Sequence, residues 1–303
     1  MGFEKTVEDI KSLKIQGAEV IAKEAVKSLR YIIKEIRKKE IKQAIAELEK
    51  SKVLLLKTRP TEPCMRNALN FVLFEMEKHS QNSTELASYV EQRIKQVLQF
   101  FEEAEEKITE YGTQKIKDGM IVYTHCHSSA VARILVRAWK QGKHIEVHNT
   151  ETRPKLQGRI TANELAKQGI PVVHYVDSAA RFALKKADIM LIGADAITTE
   201  GKIINKVGSE LFAEVADKYD VPVYVCSNSW KLDPETLFGF EEPIEKRYSK
   251  EVWDKAPKGV RIDNFAFEKI DPDLVTGVIT ELGVYKPQML VQVVQKKYGW
   301  MFP

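Results

Sequence analysis

The sequence predicts an α/β protein with an N-terminal helical domain (residues 1–115) and a Rossmann-like parallel-sheet domain (residues 116–303). Two observations predict this class. Through the first part of the chain, apolar residues recur at spacings of three and four, which is the period of amphipathic helices. From Asp118-Gly119 onward, short β-rich runs alternate with helical runs, an order typical of a parallel sheet covered by helices.

In the helical part, two long apolar stripes predict helices: Ile21, Ala25, Leu29, Ile33, Ile36 and Leu86, Val90, Ile94, Val97, Phe101, Ala104, Ile108. The second helix is expected to begin after Asn82, whose side chain can cap it while Glu85 reaches back. Between the stripes, the two prolines of KTRPTEP predict a loop. Such stripes usually form a core, so a scaffold or a dimer surface is the expected role.

The second part predicts strands at MIVYTHC, IEVHNTE, PVVHYVD, DIMLIGAD and VPVYVCSN, with helices between them, and a further strand at VTGVITEL. In such sheets, ligands bind outside the carboxyl ends of the strands. Polar groups occupy those ends: His125-Cys126-His127-Ser128, Thr150-Glu151-Thr152-Arg153, Asp177-Ser178, Gly193-Ala194-Asp195 and Ser227-Asn228. We expect these groups to converge at one edge of the sheet.

Charge, composition and motifs narrow the possible functional classes of this protein. A net charge of +4 suits anionic small substrates without requiring nucleic acid. No apolar run approaches the ~20 residues that span a bilayer, and the start is too charged for a secretory signal. Cys64, Cys126 and Cys226 form no disulfide framework, so a cytoplasmic protein is expected. The absence of GxGxxG and GxxxxGK[ST] disfavours a dehydrogenase or ATPase, while a generic Rossmann nucleotide binder stays open.

Cys126 is a candidate base or nucleophile because it ends a strand and directly precedes a helix. Helix N–H groups and the dipole, with His125 and His127 beside it, are expected to favour the thiolate. The alternative is a half-buried structural cysteine. Alternation along a strand would send the two histidines to one face and the sulfur to the other, which disfavours a shared metal ion.

Asp195 is a candidate acid because it ends the apolar run LIGAD. Partial desolvation at such a position raises the pKa of a carboxyl group, so that it can donate a proton near neutral pH. The alternative is a structural cap for a turn at Asp195-Ala196-Ile197.

Several cationic and polar residues at loops predict a phosphate cradle: Arg59, Arg153, Arg159, Asn205, Lys206 and Lys231. Gln157 lies between two of the arginines. Gly208-Ser209 at a helix start has the form of an anion site.

Long motifs then carry a family likeness: THCHSSAV, NTETRPKLQGRITANELAKQGIPV, VDSAARFALKKADIMLIGADAITTEGKIINKVGSELFA and ITELGV. They resemble the family of translation-initiation exchange-factor alpha, beta and delta subunits. That family also contains the methylthioribose-1-phosphate isomerases and the archaeal ribose-1,5-bisphosphate isomerases. The likeness covers nearly the whole chain. The isomerases of this family have a catalytic cysteine after the first sheet strand and a catalytic aspartate in GAD, which match Cys126 and Asp195 here. The regulatory subunits typically lack this pair and an intact TRPxxQG, both of which this chain retains.

Within the family, THCHS, TETRPK, VDSAAR and KYGW look most similar to the bisphosphate isomerases. The resemblance implies that Cys126 and Asp195 are catalytic and that substrate is held by Gln16, Gly17, Ala18, Glu19, Arg59, Ser128, Arg153, Gln157, Asn205, Lys206 and Lys231. One loop departs from the pattern. The bisphosphate enzymes carry Arg-Gly-Ala-Gly where this chain has residues 16–19, so an arginine is lost and a carboxylate gained.

The resemblance implies conversion of ribose 1,5-bisphosphate to ribulose 1,5-bisphosphate through a phosphoenolate, without metal or cofactor. Asp195 would protonate the ring oxygen and Cys126, as thiolate, would remove the C2 proton. A homo-oligomer (dimer or trimer of dimers) and activation by AMP are implied as well. Methylthioribose-1-phosphate isomerase and a non-catalytic regulatory subunit remain the alternatives.

Overall fold

The computed structural model describes residues 2–241 and 244–302, and the chain divides into two compact units. The first unit consists of Met1–Glu103, Trp230–Pro234 and Val294–Pro303, and the second of Ala104–Ser229 and Glu235–Val293. The predicted division at residue 115 coincides with the end of a long helix, whereas the compact units divide inside that helix. Two short C-terminal segments also belong to the first unit.

The first unit is built from helices α1 (Phe3–Lys11), α2 (Ala18–Ile36), α3 (Ile41–Leu56), α4 (Pro63–Leu73) and the start of α5 (Ser83–Lys115). Both predicted stripes are confirmed, because every residue in them is buried. The predicted helix start is confirmed too. The Asn82 side chain accepts hydrogen bonds from the Thr84 and Glu85 N–H groups, and the Glu85 carboxylate accepts one from Gln81 N–H.

The second unit contains helices α6 (Ser129–Lys140), α7 (Gly158–Lys167), α8 (Ala180–Leu184) and α9 (Ser209–Lys218), and α10 (Pro287–Lys297) starts in it. In chain order the strands are β1 (Ile121–Thr124), β2 (Glu146–Thr150), β3 (Val172–Tyr175), β4 (Ile189–Ile192), β5 (Ala196–Thr198), β6 (Ile203–Lys206), β7 (Val223–Cys226), β8 (Leu232–Asp233, in the first unit), β9 (Phe267–Ile270), β10 (Gly277–Thr280) and β11 (Gly283–Tyr285).

The main sheet has the order β11-β10-β7-β4-β1-β2-β3, and all its neighbours are parallel except β10 and β11. All six predicted strands are present. The chain runs outward from β1 to β2 and β3, then returns to β4 on the other side of β1. The strand order therefore reverses between β1 and β4, and a crevice for ligands is expected at this switch point.

A smaller antiparallel arrangement of β5, β6 and β9 was not predicted. Its strands are only three or four residues long, so their apolar pattern is too brief to register as a separate sheet. It begins directly after Asp195. The proposed capping role for Asp195 is wrong, because residues 196–198 form a strand and not a helical turn.

The core of the second unit joins apolar side chains of α6 and α7, including Val131, Ile134, Leu135 and Leu165, to apolar strand residues such as Val122. Burial of such side chains supplies the main stabilising term for the unit. Across the part of the chain that the structure describes, no helix combines the length and apolar character needed to cross a bilayer.

Candidate active site

Cys126 lies in a sharp turn between β1 and α6. The strand ends at Thr124 and the helix begins at Ser129, with Ser128 as its N-cap. The backbone of Cys126 has φ 65°, in the left-handed region that non-glycine residues seldom adopt. The alternation argument for His125, Cys126 and His127 is therefore wrong, because these residues have left the strand.

Burial controls the charge state of the Cys126 thiol. The side chain is 8% exposed, and desolvation raises its pKa to about 11. The positive charge of Lys206 and the His127 N–H group oppose this rise, whereas the carboxylates of Asp195 and Asp177 add to it. The expectation that the helix N-terminus favours the thiolate is thus wrong, since desolvation is the largest influence on the pKa of the thiol.

Asp195 connects β4 to β5 and is half-buried. Its N–H group donates to the Ile204 carbonyl at 2.8 Å, which ties it to β6. The turn before it packs closely on the turn after β1. A Cβ atom added at Gly193 would lie 2.8 Å from Ser128 Oγ, so only glycine allows this approach. The two strand ends at the switch point therefore bring Cys126, Ser128 and Asp195 together.

The two histidines beside Cys126 have separate partners. His125 is buried, its Nε2 donates to the Val207 carbonyl at 3.0 Å, and its Nδ1 lies 2.9 Å from Thr150 Oγ1. Burial lowers its pKa to about 4, so the ring is neutral at pH 7. His127 contacts Thr161 Oγ1 instead. Among residues 2–241 and 244–302, no group of three or more His, Cys, Asp and Glu side chains could hold a metal ion.

Arg153 and Gln157 lie on the loop between β2 and α7. The Asp177 carboxylate, just after β3, accepts hydrogen bonds from the Thr152 and Arg153 N–H groups at 2.9 and 2.7 Å. The exposed Arg153 guanidinium donates to the Val252 carbonyl at 3.2 Å. Gln157 occupies the N-cap position of α7. The loop is thereby fixed at the same edge of the sheet as Cys126.

Asn205 and Lys206 end β6. Asn205 is buried and its amide donates to Ser209 Oγ at 3.0 Å, while the Lys206 ammonium lies 4.6 Å from the centre of the Phe267 ring. The anion site predicted at the start of α9 is occupied by the protein itself. The Glu268 carboxylate accepts from Glu210 N–H at 2.6 Å and also bonds Gly208 N–H. Burial raises the pKa of Glu268 despite these bonds.

The remaining predicted site residues belong to the first unit. Gln16, Gly17, Ala18 and Glu19 form the entry to α2, where the Gln16 amide donates to the Leu13 carbonyl and Glu19 pairs with Lys23 at 2.6 Å. Arg59 forms an ion pair with Glu62 at 2.9 Å in the loop before α4. Lys231 lies between Trp230 and Leu232 in the sequence. The Asn67 amide donates a hydrogen bond to the carbonyl of each of these two neighbours at 2.8 Å.

Two threonines bond the Cys126 backbone, Thr152 and Thr161. The sequence placed Thr152 among the polar strand-end groups without giving it a role, and Thr161 was not singled out. Both threonines lie within the motif NTETRPKLQGRITANELAKQGIPV, so the motif was the available signal for their role. The prediction assigned roles to the arginines of this motif and none to its threonine hydroxyl groups. Gly158, in the same motif, was passed over as well. A Cβ atom there would lie 1.7 Å from the Thr150 carbonyl oxygen.

The chain belongs to the Initiation factor 2 subunit family, whose model matches residues 14–287. It is similar to ribose 1,5-bisphosphate isomerase of Thermococcus kodakarensis, at 36% identity over 97% of this chain and 94% of the relative. Methylthioribose-1-phosphate isomerase of Thermosipho africanus is 33% identical over 92% of this chain and 85% of the relative. Among solved structures, the translation initiation factor eIF-2B of Pyrococcus horikoshii OT3 matches with a TM-score of 0.83 and 26% identity, over 96% of this chain and 98% of that one.

Proposed function

We propose that this protein is an aldose–ketose isomerase that converts ribose 1,5-bisphosphate to ribulose 1,5-bisphosphate. The observation that carries the proposal is the placement of Cys126 and Asp195. They follow β1 and β4, which are adjacent parallel strands, at the point where the strand order reverses. An acid–base pair at this crevice can exchange protons with one bound sugar. The relatives named as ribose 1,5-bisphosphate isomerases support the choice of substrate.

The proposed chemistry balances as an isomerisation. The C2–H bond breaks as the C1–O bond of the ring opens, and the ring oxygen takes a proton to become the 4-hydroxyl. The resulting enol has a C1–C2 double bond and a phosphate on C1. Loss of the 2-hydroxyl proton and protonation of C1 then give the ketose. Cys126 and Asp195 are the proposed exchange partners for the C2 and ring-oxygen protons.

The charge state of Cys126 sets a condition on this chemistry. Burial favours the neutral thiol, so Cys126 must lose its proton before it can act as the base at C2. Lys206 is the cation whose charge already acts to lower the pKa of that thiol. We propose that Lys206 stabilises the thiolate in addition to contacting the sugar or a phosphate, because an opposite charge nearby favours the ionised form.

The other binding residues remain proposals. Arg153, Gln157 and Ser128 lie on connections that follow strands of the main sheet, and Asn205 lies near the end of β6. Arg59 and Lys231 are proposed on the family resemblance alone. Each cation suits a phosphate oxygen through charge-assisted hydrogen bonds.

The direct test is product identity from ribose 1,5-bisphosphate, with and without AMP. Wild-type protein is expected to form ribulose 1,5-bisphosphate, and Cys126→Ser and Asp195→Asn are each expected to lose about 10²–10⁴ in kcat. Cys226→Ala is the matched control, because Cys226 is a buried thiol inside β7 and should leave kcat near wild type. Near-normal turnover by Cys126→Ser would remove the thiol from the mechanism.

A second substrate is favoured by residues 16–19. Where the bisphosphate enzymes carry an arginine, this chain has Gln16, and the Glu19 carboxylate pairs with Lys23. A loop with fewer positive charges suits a sugar with one phosphate, and methylthioribose 1-phosphate is the corresponding substrate of a similar family member. Side-by-side kcat/KM values for the two sugars decide between them. No turnover of either sugar, with copurification of an initiation factor, would favour a regulatory subunit.

We also propose three properties: a homo-oligomer (a dimer or a trimer of dimers) and activation by AMP, which rest on the family resemblance, and a cytoplasmic location, which rests on the cysteine content and composition. The assembly is measured by light scattering on purified protein. A dependence of turnover on AMP in the assay above tests the activation.

A further inference from the structure

Cys126 occupies a backbone conformation that its own side chain does not favour. Its φ is 65°, and Thr152, which contacts it, has φ 63°. A positive φ is a genuine outlier for a β-branched residue such as threonine, and strained conformations persist only where the surroundings enforce them. Cys126 and Thr152 therefore both have a positive φ and contact each other at the candidate active site, so surrounding contacts must enforce these conformations.

Two buried hydroxyl groups bond the backbone of Cys126 from opposite sides. Thr152 Oγ1 accepts a hydrogen bond from Cys126 N–H at 3.0 Å, and Thr161 Oγ1 donates to the Cys126 carbonyl at 2.9 Å. The two threonines are 1% and 2% exposed, so water does not compete for these bonds. One hydroxyl comes from the loop after β2 and the other from α7.

Each threonine also bonds a second neighbour. The Asp177 carboxylate fixes Thr152 through its N–H group at 2.9 Å. Thr161 Oγ1 donates its one proton to the Cys126 carbonyl. The hydrogen bond between Thr161 Oγ1 and His127 Nδ1, 3.0 Å apart, therefore needs the imidazole tautomer whose Nδ1–H group is the donor. Asp177 thus holds the Thr152 backbone in place, and His127 contacts the Thr161 hydroxyl that bonds Cys126.

We propose that Thr152 and Thr161 form a clamp that holds Cys126 in its left-handed conformation and so aims its sulfur for proton transfer. They are positioning residues, since they bond the backbone of Cys126 and not the sugar. The proposal rests on the proposed function for its effect on turnover. A misplacement of about 1 Å in a reacting group can cost on the order of 10²-fold in rate, so loss of one hydroxyl should affect kcat more than KM.

The test compares Thr152→Val with Thr152→Ser, and Thr161→Val with Thr161→Ser. Valine keeps the shape but removes the hydroxyl, whereas serine keeps the hydroxyl. Both valine variants are expected to lose about 10-fold to 10²-fold in kcat with KM within about twofold. The pH midpoint for alkylation of Cys126 by iodoacetamide, followed by peptide mass spectrometry, should fall as water reaches the loosened thiol. The serine variants should restore both properties.

The outcomes separate the clamp from the proposed function. If the wild type does not convert the bisphosphate, the proposed function fails, and the alkylation profiles of the four variants still decide the clamp. Folded valine variants with wild-type kcat and an unchanged alkylation profile would overturn the clamp while the function stands. Should Thr152→Val not fold, the Thr161 pair gives the same decision from the other side of Cys126.

Discussion

At the residue scale, the chemistry of Cys126 depends on charges from three other segments of the chain. Lys206 comes from the end of β6, Asp195 follows β4 and Asp177 follows β3. The lysine favours the thiolate and the two carboxylates oppose it. A short local sequence around Cys126 contains none of these groups. The position of the cysteine was predictable from its strand, but its charge state was not.

Lys206→Gln tests this balance of charges. Removing the ammonium group should raise the pKa of Cys126 further, because an opposite charge that favours the thiolate is lost. We expect alkylation of Cys126 by iodoacetamide to slow by about tenfold at pH 8. Lys206→Arg keeps the charge and is the control. Equal alkylation rates in Lys206→Gln and wild type would contradict the electrostatic role, whatever happens to turnover.

At the scale of elements, the junction of β2 and α7 depends on a close backbone approach. Gly158 is the first residue of α7, and its N–H group donates to the Glu151 carbonyl at 3.1 Å. Its carbonyl accepts from the buried Asn149 amide at 2.7 Å. The helix start therefore folds back on the strand end, and this contact holds the loop that carries Arg153 and Gln157.

Gly158→Ala is expected to disturb this junction. The new Cβ atom would lie 1.7 Å from the Thr150 carbonyl oxygen, a backbone atom that cannot rotate away. We expect the free energy of unfolding to fall by about 1–3 kcal/mol or more, measured by denaturant titration. The control is Gly299→Ala, since a Cβ atom there meets nothing within 4 Å and its φ is not positive. Equal losses in both variants would contradict the packing explanation.

The packing of β9 against α9 explains why the anion site predicted at the start of α9 was wrong. The sequence around the start of α9 offers no local partner for the first N–H groups of the helix. In the fold, the Glu268 carboxylate of β9 accepts a hydrogen bond from Glu210 N–H at this helix start. The carboxylate comes from a strand 58 positions along the chain. Local patterns identify a helix start, whereas the group that satisfies it is chosen by tertiary packing.

At the scale of the whole molecule, buried thiols couple stability to alkaline pH. Burial raises the pKa of Cys126 to about 11 and that of Cys226 to about 12, from an ordinary value of 9.0. The folded chain therefore keeps protons that the unfolded chain releases. The associated stability is fully present below about pH 9 and is lost as the pH rises toward the folded values.

The free energy of unfolding should thus decline between pH 9 and pH 11, by at most about 1.4 kcal/mol per pH unit for each thiol. Denaturant titrations at pH 7.5, 9 and 10 measure the slope. Cys226→Ala should show a shallower decline than wild type because one of these two thiols with a raised pKa is gone. Parallel curves for the two proteins would show that Cys226 does not contribute.

The sequence by itself determined the six predicted strands of the main sheet and the helices between them, the two buried stripes, and the positions of Cys126 and Asp195 at strand ends. These follow from periodicity and from local runs of residues, which are properties of a short window. Only the tertiary structure decided that β4 lies beside β1, and hence that the two strand ends carrying Cys126 and Asp195 are neighbours. It also decided the left-handed turn, the buried thiol and the threonine clamp, because each depends on contacts between segments far apart in the chain.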